Sequence, residues 1–228
     1  MQRVDAPEIL DSDDCSAADV ATALRDLGRM NRWFGGMSTS LGLMKRVTDS
    51  CQSKHLSVLE VAAGAGDVPE TVRRSMARRG VTLDLTLLDR AYSHLPPGNH
   101  SVVGDALDLP FADGAFDVVS CSLFTHHLDT RQLARFMREG VRVCRRALLI
   151  NDLVRHPVHL GLVYASFPIM RCRVSWLDGL TSVRRAYLPS EIREAISSAF
   201  GGEKLRVEIS RSYLFRMGVI VWKEEGRV

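Results

Sequence analysis

Apolar positions in the first quarter of the chain recur at three-to-four spacing: Val20, Leu24 and Leu27, then Leu41, Met44 and Val47. That period predicts two helices, broken at Phe34-Gly35-Gly36 and restarted by Ser38 as N-cap. From residue 57 the rhythm changes. Short apolar runs at 57–61, 83–88, 101–103, 116–121 and 147–150 alternate with amphipathic stretches, the pattern of a parallel sheet with helical crossovers. The first crossover helix opens on Asp67 with Glu70 three residues later, in capping-box order, carries Pro69 in its first turn and stops at Gly80. The second, 130–144, sets Leu133, Phe136, Met137, Val141 and Cys144 against Arg131, Arg135, Arg138 and Arg142, an arginine face read as solvated rather than phosphate-binding. Two final apolar runs, 205–210 and 214–222, flank a polar turn and predict an antiparallel hairpin.

The expected fold class is therefore α/β: a Rossmann-like, doubly wound, mostly parallel seven-stranded sheet with a C-terminal antiparallel hairpin and an N-terminal helical cap. Of 228 residues, 46% are hydrophobic and 25% charged, enough for one sizeable core. Residues 1–20 hold six acids and one base, although the whole chain carries +3. This divides the chain into an acidic flexible tail at 1–15, a helical cap or lid at 16–56 and a main domain at 57–228. Removing the tail is expected to do little. Five scattered cysteines without a Cys-x-x-Cys argue against a disulfide framework and a zinc knuckle. A reducing, cytoplasmic setting is expected, because the N-terminus lacks signal-peptide order and no apolar run approaches about 20 residues. The small net charge gives no reason to expect a nucleic acid or a membrane as partner.

The segment 58–67 (VLEVAAGAGD) is a buried strand entering a small-residue turn and a helix start, where a ligand can lie against backbone N–H groups. Three acids follow strand ends in order: Glu60, Asp89 and Asp105. Ligands of open parallel sheets bind beyond those ends, so the three carboxylates converge on one crevice. Pro69 stands where a dinucleotide fingerprint wants its third glycine, and no Gly-Lys-Ser/Thr exists, which disfavours a nicotinamide oxidoreductase and excludes a P-loop.

With these motifs in order, the chain resembles the class I S-adenosylmethionine-dependent methyltransferases over about residues 57–228. The likeness is to small-molecule enzymes of the ubiquinone and menaquinone group and, more weakly, to polyketide-pathway members of secondary metabolism. The resemblance implies S-adenosyl-L-methionine as cofactor and S-adenosyl-L-homocysteine as product. It places Ala62, Gly64 and Gly66 on the methionine part, Glu60 near the ammonium and sulfonium, Asp89 on the ribose hydroxyls, and Asp105 with Ala106 at the adenine. Arg90 and Ser122 complete that set. Ala62 departs from the family's usual glycine, so it must either keep a negative φ or shift the loop.

His126 and His127 follow the fourth strand, and His156 follows the fifth. They are the candidate catalytic residues, His127 first, with packing or capping as the other reading. Asn151-Asp152 is similar to a catechol-type metal pair, but Ser122 replaces the acid that branch needs, so no metal is expected. Trp33, Phe34, Tyr164, Phe167 and Met170 would form a lid over a flat apolar acceptor. The expected function is O-methylation of a small phenolic or enolic natural product. C-methylation of a quinone precursor and a non-catalytic cofactor-binding regulator are the alternatives. The partner is a small molecule; no oligomeric state is set, and a homodimer is among those allowed.

Overall fold

The computed structural model describes residues 1–11, 17–98, 100–169, 173–201, 205–213 and 215–223. Two helices, α1 (Ala17–Trp33) and α2 (Gly36–Cys51), precede β1 (His55–Val61). There follow α3 (Asp67–Ala77), β2 (Thr82–Asp89), β3 (Ser101–Val103), β4 (Phe116–Ser122), α4 (Thr130–Val143) and β5 (Cys144–Leu153). The chain closes with α5 (Pro157–Ala165), α6 (Arg173–Arg185), α7 (Pro189–Phe200), β6 (Arg206–Ser212) and β7 (Arg216–Trp222). The seven strands lie in the order β3-β2-β1-β4-β5-β7-β6. All neighbours are parallel except those of β7, which runs antiparallel to both β5 and β6. The strand order reverses between β1 and β4, so the crevice opens at their carboxyl ends.

Alternation along the strands sorts the core onto two faces. Leu59, Val61, Val119, Cys121, Leu148 and Ile150 pack against Leu133, Phe136 and Met137 of α4 and Ile192 and Ile196 of α7. Leu56, Val58, Val118 and Leu149 meet Leu43, Met44 and Val47 of α2 and Val72 and Met76 of α3. Glu60 and Ser120, paired across β1 and β4, share this second face.

Local chemistry revises several sequence expectations. The N-cap of α2 is Gly35 in the left-handed region (φ 78°), not Ser38, whose hydroxyl donates to the Gly35 carbonyl. A Cβ at Gly35 would stand 2.6 Å from Tyr213, so only glycine makes this turn. Likewise α3 is capped by Gly66 (φ 75°), while Glu70 turns outward to Arg73 and Arg74. The two-sided capping box falls instead at Asp129 and Gln132, ahead of α4. The arginine face of α4 is not merely solvated: Arg142 bonds the carbonyls of Leu109 and Phe111, and Arg135 that of Leu107, tying the loop before β4 to the helix.

The largest correction is the N-terminal tail, whose described residues 1–11 dock on the body. Arg3 donates to the carbonyls of Arg185 and Leu128, and Asp178 accepts the N–H groups of Ile9 and Leu10 at 2.7 and 3.0 Å. Glu8 is buried at 7% exposure. Acidic composition suggested solvent, but Glu8 meets His126, His127 and the Ser182 hydroxyl, all more than a hundred positions away. Among the described residues, no helix is long and apolar enough to cross a membrane.

Candidate functional site

The turn after β1 is built from small residues because its backbone is strained and crowded. Ala62 adopts φ 54° and Gly64 φ 53°, and a Cβ on Gly66 would come within 2.9 Å of Leu87. Ala62 therefore takes the left-handed conformation that glycine would hold without cost, rather than keeping a negative φ. Asp89, at the end of β2, braces the turn by accepting the Gly64 N–H at 2.9 Å and that of Ala91 at 3.0 Å. Burial acts to raise the pKa of Asp89, but His94 and these two N–H groups outweigh it and hold the carboxylate ionised.

An acceptor-rich cavity lies between α2, α3 and the strands β1, β2, β4 and β5. Glu60, Ser120, Asn151 and Ser40 contribute its polar lining, with Leu43, Val68 and Pro69 among its apolar walls. Burial pushes the Glu60 carboxyl up to about 7, against hydrogen bonds from Ser120 and Ser122 that act to lower it. Asn151 donates to the Gly36 carbonyl and to Ser40 Oγ at 2.8 Å each, and its buried Oδ1 is left with no partner. Ser40 and Ser122 hydroxyls lie 3.1 Å apart. A half-protonated carboxyl, an orphaned amide oxygen and two hydroxyls suit a cationic ammonium group, which would satisfy the oxygen and ionise the acid. Asn151 is thus a polar link between β5 and α2 rather than a metal ligand. Its partner in the suspected pair, Asp152, is on the other face of the sheet and is consumed by Thr125 and His126.

The predicted cofactor residues Arg90, Asp105 and Ala106 are not in the lining of this cavity. Asp105 is exposed and accepts the Leu107 N–H, Ala106 is buried, and Arg90 is exposed next to Asp89. The sequence reading missed Ser40 and Ser120. The useful signal was parity: Ser120 occupies the strand position that faces the same side as Glu60.

The histidines are committed to the scaffold. His126 is buried, with Nδ1 2.8 Å from Asp152 and Nε2 3.3 Å from Glu8. Burial opposes its charge, yet the two carboxylates raise its pKa to about 10, so it is an imidazolium and not a base. The same contact holds Glu8 below its ordinary pKa despite burial. His127 is half-buried with Nε2 3.7 Å from Glu8. His156 caps α5, its Nδ1 accepting the Val158 N–H at 3.2 Å. Of the three candidates, His126 is thus not a proton acceptor, while His127 meets Glu8 and His156 caps α5.

The expected lid divides. Tyr164 and Phe167 pack edge-on against Trp176, with ring centroids 5.9 and 4.9 Å away. Trp33 and Phe34 are exposed at the α1–α2 break, where their carbonyls accept from Tyr213 and Arg216. Met170 lies outside the described residues.

Residues 59–147 match a family described as a methyltransferase domain. A demethylmenaquinone methyltransferase of Thermotoga maritima is 35% identical over 102 residues, covering 42% of this chain and 43% of the relative. The chain thus aligns with less than half of that curated relative's length. Among solved structures, the plantazolicin methyltransferase BpumL superposes with a TM-score of 0.64 at 11% identity, over 91% of this chain and 97% of that one. Human N-acetylserotonin methyltransferase gives 0.63 at 12% identity, over 91% and 56%. Residues 59–147 thus carry a methyltransferase domain, and the seven-stranded sheet has the fold of S-adenosylmethionine-dependent methyltransferases.

Proposed function

We propose that the chain methylates the phenolic or enolic oxygen of a small acceptor, with S-adenosyl-L-methionine held at the carboxyl ends of β1, β2 and β4. The observation that carries this reading is the set Glu60, Ser40, Ser122 and Asn151, in which Glu60 and Asn151 are buried and the Asn151 Oδ1 has no hydrogen-bond partner. Glu60 and the Asn151 oxygen would hold the ammonium, and Asp89, already fixed by Gly64 and Ala91, would take the ribose hydroxyls. When bound, the cofactor supplies a methyl group on a positively charged sulfur, an electrophile that needs no further activation.

With the three histidines built into the scaffold, the chain's contribution is to place the acceptor oxygen and exclude water. The acceptor's proton leaves to solvent, and the exposed aromatic residues Trp33, Phe34, Tyr164 and Phe167 offer apolar surface for a flat ring. Carbon methylation of a quinol is the second reading, favoured by the local likeness to the demethylmenaquinone enzyme.

Calorimetry with S-adenosylhomocysteine should give micromolar-range binding. Turnover with a panel of phenols and quinols, with products identified by mass spectrometry and fragmentation, separates ether from ring-methyl products. Ring methylation alone would replace the oxygen reading. Binding of NADH without S-adenosylhomocysteine would overturn both.

A further inference from the structure

On the sheet face opposite Glu60, three side chains from two distant parts of the chain turn their ligating atoms toward one point. Glu8 belongs to the docked N-terminal segment, and His126 and His127 to the 3₁₀ turn Thr125–His127 after β4. His126 Nε2 is 3.3 Å from Glu8 Oε1, His127 Nε2 is 3.7 Å from Glu8 Oε2, and all three ligand atoms lie within 4.8 Å of one another. Two ligands at about 2.0–2.1 Å on a tetrahedral zinc ion stand about 3.3 Å apart. We propose that Glu8, His126 and His127 bind a divalent transition-metal ion, zinc for preference, which clips the N-terminal segment to the turn after β4.

The surroundings are those of a supported ligand set. Asp152 accepts from His126 Nδ1, so the ring presents Nε2 toward Glu8, the arrangement in which a carboxylate orients a metal-bound imidazole. Asp152 is itself fixed by the Thr125 hydroxyl and the His126 N–H. Ser182 Oγ donates to Glu8 Oε1 at 2.7 Å, and Arg185 holds the carbonyls of His126 and His127 at 3.0 and 2.6 Å. His126 and Glu8 therefore each have an outer partner that sets the side chain's direction, and Arg185 fixes the backbone of the turn that carries both histidines. His126 and Glu8 are buried, whereas the His127 side chain keeps 24% exposure, which provides an entry path and a position for a water as fourth ligand. Two imidazoles with one carboxylate select zinc and its first-row neighbours over magnesium or calcium, which take oxygen ligands. Binding displaces the proton that His126 shares with Glu8. The proposal is independent of the acceptor and of methyl transfer.

The test uses the full chain, stripped with a chelator and titrated with zinc chloride in competition with a chromophoric indicator. One zinc per chain at micromolar or tighter affinity is expected, and cobalt(II) should give the intense visible bands of a tetrahedral site. Glu8→Gln and His127→Asn should each weaken uptake at least tenfold and abolish the rise in Tm that zinc gives the wild type. His55→Ala, a histidine facing Asp84 at the opposite end of β1, should leave uptake unchanged. No stoichiometric uptake by the folded wild-type chain would overturn the proposal. So would uptake undiminished in the Glu8→Gln, His127→Asn double variant. The wild-type measurement decides the matter even if a variant folds poorly.

Discussion

The Oδ2 atom of Asp89 accepts the backbone N–H of Gly64 at 2.9 Å, so the acid that ends β2 also shapes the turn that ends β1. Cofactor affinity and local stability therefore share a residue. Asp89→Ala should cost about 1–3 kcal/mol of stability by leaving two N–H groups without an acceptor, and S-adenosylhomocysteine affinity should fall by a comparable amount. Asp89→Asn keeps an acceptor oxygen and should recover part of the stability but little of the affinity. Chemical denaturation and calorimetry on the same samples separate the two effects. Unchanged affinity in Asp89→Ala would remove Asp89 from the cofactor site.

Glu60 gives the stability a definite pH dependence. Its carboxyl titrates near 7 in the fold against 4.5 as the ordinary value, because it is buried. Below the ordinary value both states hold the proton and nothing is lost. As pH rises toward 7 the unfolded chain releases its proton first, so folding loses stability, on the order of 3 kcal/mol once both states are ionised. Glu60→Gln should be increasingly more stable than wild type between about pH 4.5 and 7 and hold that advantage above. The same variant should bind S-adenosylhomocysteine more weakly at pH 8, where wild-type affinity has reached its plateau. A stability difference flat with pH would show that Glu60 titrates alike in the folded and unfolded chain.

Ala62 stores strain that a single substitution can release. Its φ of 54° costs a residue with a Cβ about 1–2 kcal/mol, whereas glycine in the unfolded chain costs about 0.5–1 kcal/mol in entropy. Ala62→Gly should therefore stabilise the chain by about 0.5–1 kcal/mol, seen as a raised denaturation midpoint with an unchanged slope. Loss of stability in this variant would mean that the turn is not left-handed at position 62.

The parallel core was legible because its signal is local: runs such as 116–121 and 101–103 carry their strand period within themselves, and the observed strands extend them by at most a few residues. The ordered acids Glu60 and Asp89 were legible for the same reason, each ending a strand whose neighbour in the sheet could be inferred. What the sequence concealed depends on contacts across the chain. Ser38 is a better N-cap by residue type than Gly35, but Tyr213, 178 residues later, leaves no room for a Cβ at 35. His126 has the composition of a base, and only the arrival of Asp152 on one nitrogen and Glu8 on the other makes it a fixed cation. Asn151-Asp152 reads as one pair along the chain, yet strand alternation sends the two side chains to opposite faces.

The docking of residues 1–11 makes the last prediction the reverse of what composition suggests. Asp178 is 5% exposed, and its two oxygens are the acceptors for Ile9 and Leu10. Asp178→Ala leaves these N–H groups to choose between burial without a partner and release of the segment. Either route should cost on the order of 1–3 kcal/mol. Release also strips Glu8 from His126, leaving a buried imidazolium with Asp152 as its remaining carboxylate. Deleting residues 2–11 should therefore destabilise the chain at least as much as Asp178→Ala while the sheet persists. Hydrogen exchange should quicken at residues 1–11 in the point variant and at Thr125–His127 in both, with β1 and β4 still protected. A deletion variant with the wild-type denaturation midpoint would show that the segment adds nothing to the fold, whereas loss of protection throughout the sheet would show that it belongs to the core.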